Sequence, residues 1–128
     1  MSATARPQTV TYCHCSDCRR LSGAPVAAFA AFSIADPTFD PPLGAPNFRR
    51  AGVARWSCRT CGTQLAATYA YLPDQVYVPL GLLDQADTLA PEGHGHTDSA
   101  LPWLHIEDDL PRDGASARAR LQDAGPKG

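Results

Sequence analysis

The sequence predicts a mostly β domain. Short β-branched and aromatic runs recur at close spacing, proline or glycine brackets most of them, and no apolar pattern of helical period outlasts two turns. The 128 residues suit one domain rather than two. At 44% hydrophobic content a core is available, though domains of this size often lean on a staple such as a metal.

Taken in order, residues 1–8 have no apolar centre and read as a flexible lead-in. Thr9, Val10, Thr11 and Tyr12 predict a strand that ends at Cys13. The cysteine-rich residues 13–18 turn the chain, and 18–22 add a helical turn stopped by Gly23. Residues 26–34 predict a strand despite their alanines, because Pro25 and Asp36-Pro37 bracket a run of strand length. The proline-crowded residues 37–46 form a loop. Residues 47–50 and 53–57 predict two short strands joined near Gly52, and 58–63 a second tight turn. Residues 64–71 and 75–80 are the next strands, with Pro73-Asp74 as the turn between them. Residues 86–101 read as a long polar loop holding His94 and His96, and 102–106 as a short strand or turn. The domain then spans 9–112, followed by a flexible tail over 113–128 with weak helical character at 116–122.

Composition excludes several functions. A net charge of −2 and a pI near 6.0 argue against bulk nucleic-acid or membrane-surface binding. The longest apolar run, 24–35, is interrupted by Pro25 and Ser33 and falls short of the ~20 residues of a membrane span. The start lacks the apolar core of a secretory signal, so a cytoplasmic location with reduced thiols is expected. An odd count of five cysteines also speaks against a disulfide framework.

Three of those five fall within six positions, in Cys13-His14-Cys15-Ser16-Asp17-Cys18. The C-x-x-C spacing forces a turn in which the three sulfurs converge on one ion, and three thiolates on Zn²⁺ leave the fourth tetrahedral position open. Arg19 and Arg20 follow directly; they would offset the anionic sulfurs and hold a carboxylate of an incoming ligand. Cys58-Arg59-Thr60-Cys61-Gly62 is half of a zinc knuckle, since the two-residue spacer aims both sulfurs at one ion and the glycine turns the chain. A redox C-x-x-C would need a βαβ context that is absent. The rival to an open site is a single closed one, with Cys13 or Cys15 plus Cys18 joining Cys58 and Cys61.

The stretches CHCSDCRRLSGAP, CRTCGTQL and PEGHGHTDSALPWLHIEDDLPRD occur in that order. Together they resemble the glutathione-dependent formaldehyde-activating enzymes, a family that shares its domain with centromere protein V. The resemblance runs from about Thr9 to Arg112. It implies a small, β-rich, Mss4-like zinc domain. It also implies a reactive zinc on Cys13, Cys15 and Cys18, and a structural zinc held in part by Cys58 and Cys61. The implied activity is that of a carbon–sulfur lyase joining glutathione, or a related small thiol, to formaldehyde.

Two departures stand out. The family carries an upstream C-x-C that completes the structural site, whereas none of the twelve residues before Cys13 is cysteine. The second zinc is therefore expected to be absent or poorly held. The sheet should also keep an exposed edge through which a second copy could pair. The second departure is GHGHT, in which His94 takes the family position, as a proton carrier, and His96 is extra; two histidines at this spacing can chelate metal and supply a missing ligand, but the polarity of the loop predicts that both are solvated. Trp103, Leu104, Ile106 and Leu110 are expected in the core. Phe29, Phe32, Tyr69, Tyr71 and Tyr77 are expected to divide between the core and a pocket mouth. The competing function is a non-catalytic, zinc-stapled binding module.

Overall fold

Strand-forming residues and turn residues alternate along the chain, and the computed structural model, which describes residues 1–115, builds one sheet from them. The strands are β1 (Thr9–Cys13), β2 (Ala27–Ser33), β3 (Phe48–Arg50), β4 (Val53–Ser57), β5 (Gln64–Tyr69), β6 (Leu72–Pro79) and β7 (His94–Gly95). Their spatial order is β3-β4-β5-β6-β2-β1-β7. Neighbours are antiparallel except β1 and β7, which pair in parallel through Tyr12 with His94 and Cys13 with Gly95. The one α-helix among the described residues is α1 (Ser16–Ser22). Gly23 closes α1 with φ +70°, a left-handed cap open to glycine at little cost, and its N–H donates to the Arg19 carbonyl at 2.8 Å.

Period-two alternation gives the sheet two buried faces. Cys18, Ala27, Phe29, Ala31, Leu72 and Tyr77 form the cluster on one, packed with Cys13, Cys15 and Tyr69. Val10, Ala30, Phe32, Ala66, Val76 and Val78 form the other, covered by Ala3, Phe39, Leu43, Trp56 and the leucines at 80, 82, 83 and 89. This double coverage explains the alanines of β2. Ala30 and Ala31 are fully buried, and small side chains let layers on both faces approach the strand. Phe29 and Tyr77 thus belong to the cysteine face and Phe32 to the opposite one.

Several expectations are revised. The turn between β5 and β6 lies at residues 70–71, not at Pro73-Asp74. Those two residues sit inside β6, where the register slips between the Tyr69–Leu72 and Ala67–Tyr77 pairs. A proline that cannot donate to the ladder is tolerated in that bulge. Residues 86–101 are not a plain loop: they hold short 3₁₀ turns at Ala86–Thr88 and Thr97–Ser99 with β7 between. Trp103 is 63% exposed, and Leu104, Ile106 and Leu110 are at best half-buried. That segment is held by polar contacts at the β7 edge rather than by apolar burial. Residues 1–8 are partly tied down: Ser2 pairs with Thr38, and Thr4 donates through its N–H and hydroxyl to Asp36. The expected weak helix at 116–122 lies outside the described residues. No described helix is long and apolar enough to cross a membrane.

Candidate metal centre

β1 runs on in extended form through Cys15, which has φ −64° and ψ 151°. Alternation therefore sends Cys13 and Cys15 to one side and His14 to the other. α1 then folds back and returns Cys18 to the same place. Cys15 is the N-cap of α1: its sulfur accepts the Cys18 N–H at 3.2 Å. Cys13 and Cys18 sulfurs lie 3.2 Å apart, and all three Sγ atoms fall within 4.8 Å of one another.

Sulfurs at 2.3 Å from a tetrahedral zinc stand about 3.8 Å from each other, so this cluster fits such an ion with small adjustments. Its chemistry fits as well, since soft thiolates favour zinc. With protons in place of a metal the cluster is polarised. Cys15 is held far below the ordinary thiol range because the Cys13 and Cys18 thiols donate to it. Cys13 is pushed up chiefly by its bond to Cys15, and Cys18 chiefly by its bond to Cys13 and then by that to Cys15.

Among the described residues no fourth His, Cys, Asp or Glu joins the three. Cys58 and Cys61 stand apart on the β4–β5 turn and do not close a four-sulfur site with them. The Cys61 sulfur lies 3.0 Å from the Thr63 hydroxyl, and backbone N–H groups of Cys61 and Thr60 lower the Cys58 thiol. Cys58 lines a separate cleft of about 950 Å³, which contains no metal-donor cluster among the described residues.

The three cysteines open onto a smaller cavity of about 250 Å³, walled by Arg55, Tyr69, Tyr71, Tyr77 and His96 among others. Burial pushes the Tyr69 and Tyr77 phenols upward, so both keep their protons. Tyr77 turns its hydroxyl away from the centre to Gln75 Oε1 at 2.7 Å.

The other predicted site residues lie elsewhere. Arg19 spends its guanidinium on the carbonyls of Ser99 at 2.8 Å and His14 at 3.3 Å, pinning α1 to the 97–99 turn. Arg20 is exposed, and neither arginine lines the cavity. His94 is not solvated: it is 1% exposed and lies outside the cavity lining, whereas His96 is within it. His94 is stacked against Tyr12, with ring centroids 4.7 Å apart, while the His14 ring meets it edge to edge with centroids 5.1 Å apart. Its Nδ1 meets His14 Nε2 at 2.9 Å, and its Nε2 meets Asp108 Oδ2 at 2.9 Å. Asp108 is lowered to about 2, first by that His94 bond, with further help from the Leu110 N–H and from Arg112 at 2.8 Å. His14 is held below the usual imidazole range, mainly by burial and then by His94, Arg112 and Arg19. A neutral His14 therefore sits directly behind the thiols, supported by a polar chain that runs from buried His94 out to Asp108 and Arg112 at the surface.

Arg55, His14, Asp108 and Arg112 were not singled out by sequence reasoning. The signals were present but weak. His14 is the odd member of the Cys-His-Cys alternation, Asp108 and Arg112 are an i,i+4 acid–arginine pair, and Arg55 interrupts a strand otherwise built for burial.

A family model described as glutathione-dependent formaldehyde-activating enzyme matches residues 1–99 of the chain. No curated protein matches it.

Proposed function

The chain belongs to the glutathione-dependent formaldehyde-activating enzyme family, and from that premise we propose that it is a zinc-dependent carbon–sulfur lyase acting on glutathione, or a similar small thiol, and formaldehyde. The observation that carries the reading is a donor set that, among the described residues, stops at three thiols and opens onto a cavity. Cys13, Cys15 and Cys18 would hold the ion. When bound, zinc supplies Lewis acidity, which lowers the pKa of a thiol ligand and polarises an aldehyde oxygen.

In the forward direction the thiol sulfur forms a bond to the formaldehyde carbon, the C=O π pair moves to oxygen, and the thiol proton ends on that oxygen as the hydroxymethyl O–H. The chain's own residues bind and orient. The tyrosine wall excludes water from one side of the sulfurs. We assign the proton-carrying role to His96 rather than His94, a reading supported by its place on the cavity wall and its electrostatic reach to Cys15. His94 acts through His14 as a positioning residue behind the metal turn.

The test uses the zinc-loaded protein and its cobalt-substituted form. Glutathione should shift the cobalt visible bands, and exchange between free and hydroxymethylated glutathione, followed by NMR line broadening, should be accelerated. Cys15→Ser should remove both effects. A metal whose spectrum ignores glutathione, with no acceleration of exchange, refutes the enzyme and leaves a zinc-stapled module.

A further inference from the structure

Arg55 carries the one guanidinium nitrogen among the described residues that is buried without a hydrogen-bond partner. It sits on β4 opposite Ala67, whose methyl group leaves space above the sheet. Its Cζ lies 5.8 Å from the Tyr69 ring centroid, so the aromatic face supports the cation without satisfying its N–H groups. Tyr69 is in turn braced by Tyr77 at 5.4 Å and Tyr71 at 5.9 Å. The Tyr69 phenol is within electrostatic reach of Arg55, Cys18 and Cys13, so the guanidinium and the thiols share one small space. Asp17 lines the same cavity but does not pair with Arg55.

Arg55 as a whole is half-buried, but a buried guanidinium N–H with no partner is costly unless a ligand completes it. The complement of a planar guanidinium is a two-oxygen anion. A cavity of about 250 Å³ is also smaller than the ~300 Å³ at which drug-sized ligand sites begin, so it encloses only a compact head group.

We propose that Arg55 is a specificity-determining anion anchor, binding a carboxylate of the same small thiol whose sulfur reaches Cys13, Cys15 and Cys18. The inference deepens the thiol–zinc reading above and rests on it for the identity of the ligand. It sets the substrate class: small thiols bearing a carboxylate, in preference to neutral thiols such as their amides.

Calorimetry on the full zinc-loaded chain tests this with N-acetylcysteine and its amide, and with the S-methylated form of each. The acids should bind at least about tenfold tighter than the amides, as expected for one charge-assisted hydrogen-bonded pair. Arg55→Met should erase that preference while leaving amide binding and zinc content unchanged, and Arg55→Lys should keep part of it. Should Arg55→Met not fold, Arg55→Gln and Arg55→Lys report the same ratio. An equal affinity of wild type for acid and amide overturns the anchor, as does a preference that survives in Arg55→Met or Arg55→Gln. Loss of zinc in place of loss of acid preference also overturns it, because Arg55 would then be balancing the thiolates. The S-methyl pair separates the two readings. If free thiols gain nothing over S-methyl forms while an Arg55-dependent acid preference persists, the zinc–thiol reading fails and the anchor stands.

Discussion

Replacing His94 with leucine keeps an apolar body against Tyr12 but deletes both ring nitrogens. His14 Nε2 then loses its partner at 2.9 Å, and His14 Nδ1 already has none among the described residues, so a buried imidazole is left wholly unsatisfied. His14 is 5% and His94 1% exposed, so water does not readily replace the lost bond. Stranding one buried donor costs about 1–3 kcal/mol. The bond to Asp108 adds a smaller share, since that carboxylate retains Arg112 and reaches solvent. A solvated loop histidine would instead change stability by about 0.5 kcal/mol or less. Urea unfolding of the zinc-loaded protein measures the difference, with His14→Leu and the double variant completing a cycle. Removing both rings strands neither, so the two losses should fall short of additive by about 1 kcal/mol or more. A His94→Leu loss below about 0.5 kcal/mol, or strictly additive losses, would refute the reasoning that a buried histidine pair supports the cysteine turn.

Cys15→Ser and Cys18→Ser should each weaken zinc binding at least tenfold in a chelator competition, whereas Cys58→Ser paired with Cys61→Ser should leave zinc at the three-cysteine centre unchanged. Gly23→Ala should cost about 1 kcal/mol in urea unfolding, because the left-handed φ is strained for alanine although nothing lies within 4 Å of the added methyl group. The folded Asp108 carboxyl lies below its unfolded value, so its contribution to stability is complete above about pH 4 and is lost as pH falls toward 2. Asp108→Asn should flatten that part of the acid limb, and an unchanged acid limb would contradict the His94–Asp108 bond.

Elements specified by neighbours in the chain were legible. β1 and β4 follow from β-branched and aromatic residues and their brackets, and the stop at Gly23 needs only a residue tolerant of positive φ. The convergence of three thiols was legible too, because six consecutive residues contain all the ligands. The misreadings share one origin. Pro73-Asp74 looks like a turn locally, but pairing with β5 and β2 draws it into β6. His94 and its loop look solvated, yet β7 pairs with β1 across some eighty residues of chain and buries the ring between Tyr12 and His14. Arg19 and Arg20 are adjacent to the thiols in sequence, but α1 directs one to backbone carbonyls and the other to solvent.

By itself, then, the amino-acid order determined a β-rich domain with a thiol turn able to grip a metal. Both depend on backbone preferences and ligand spacings that operate within a few residues. Only the tertiary structure decided what surrounds that turn: Arg55 and Tyr69 in front, from strands forty to fifty-six residues downstream, and His14, His94 and Asp108 behind. Which side chains meet there depends on strand register and on the burial of two sheet faces, and neither is written in any short stretch of the chain.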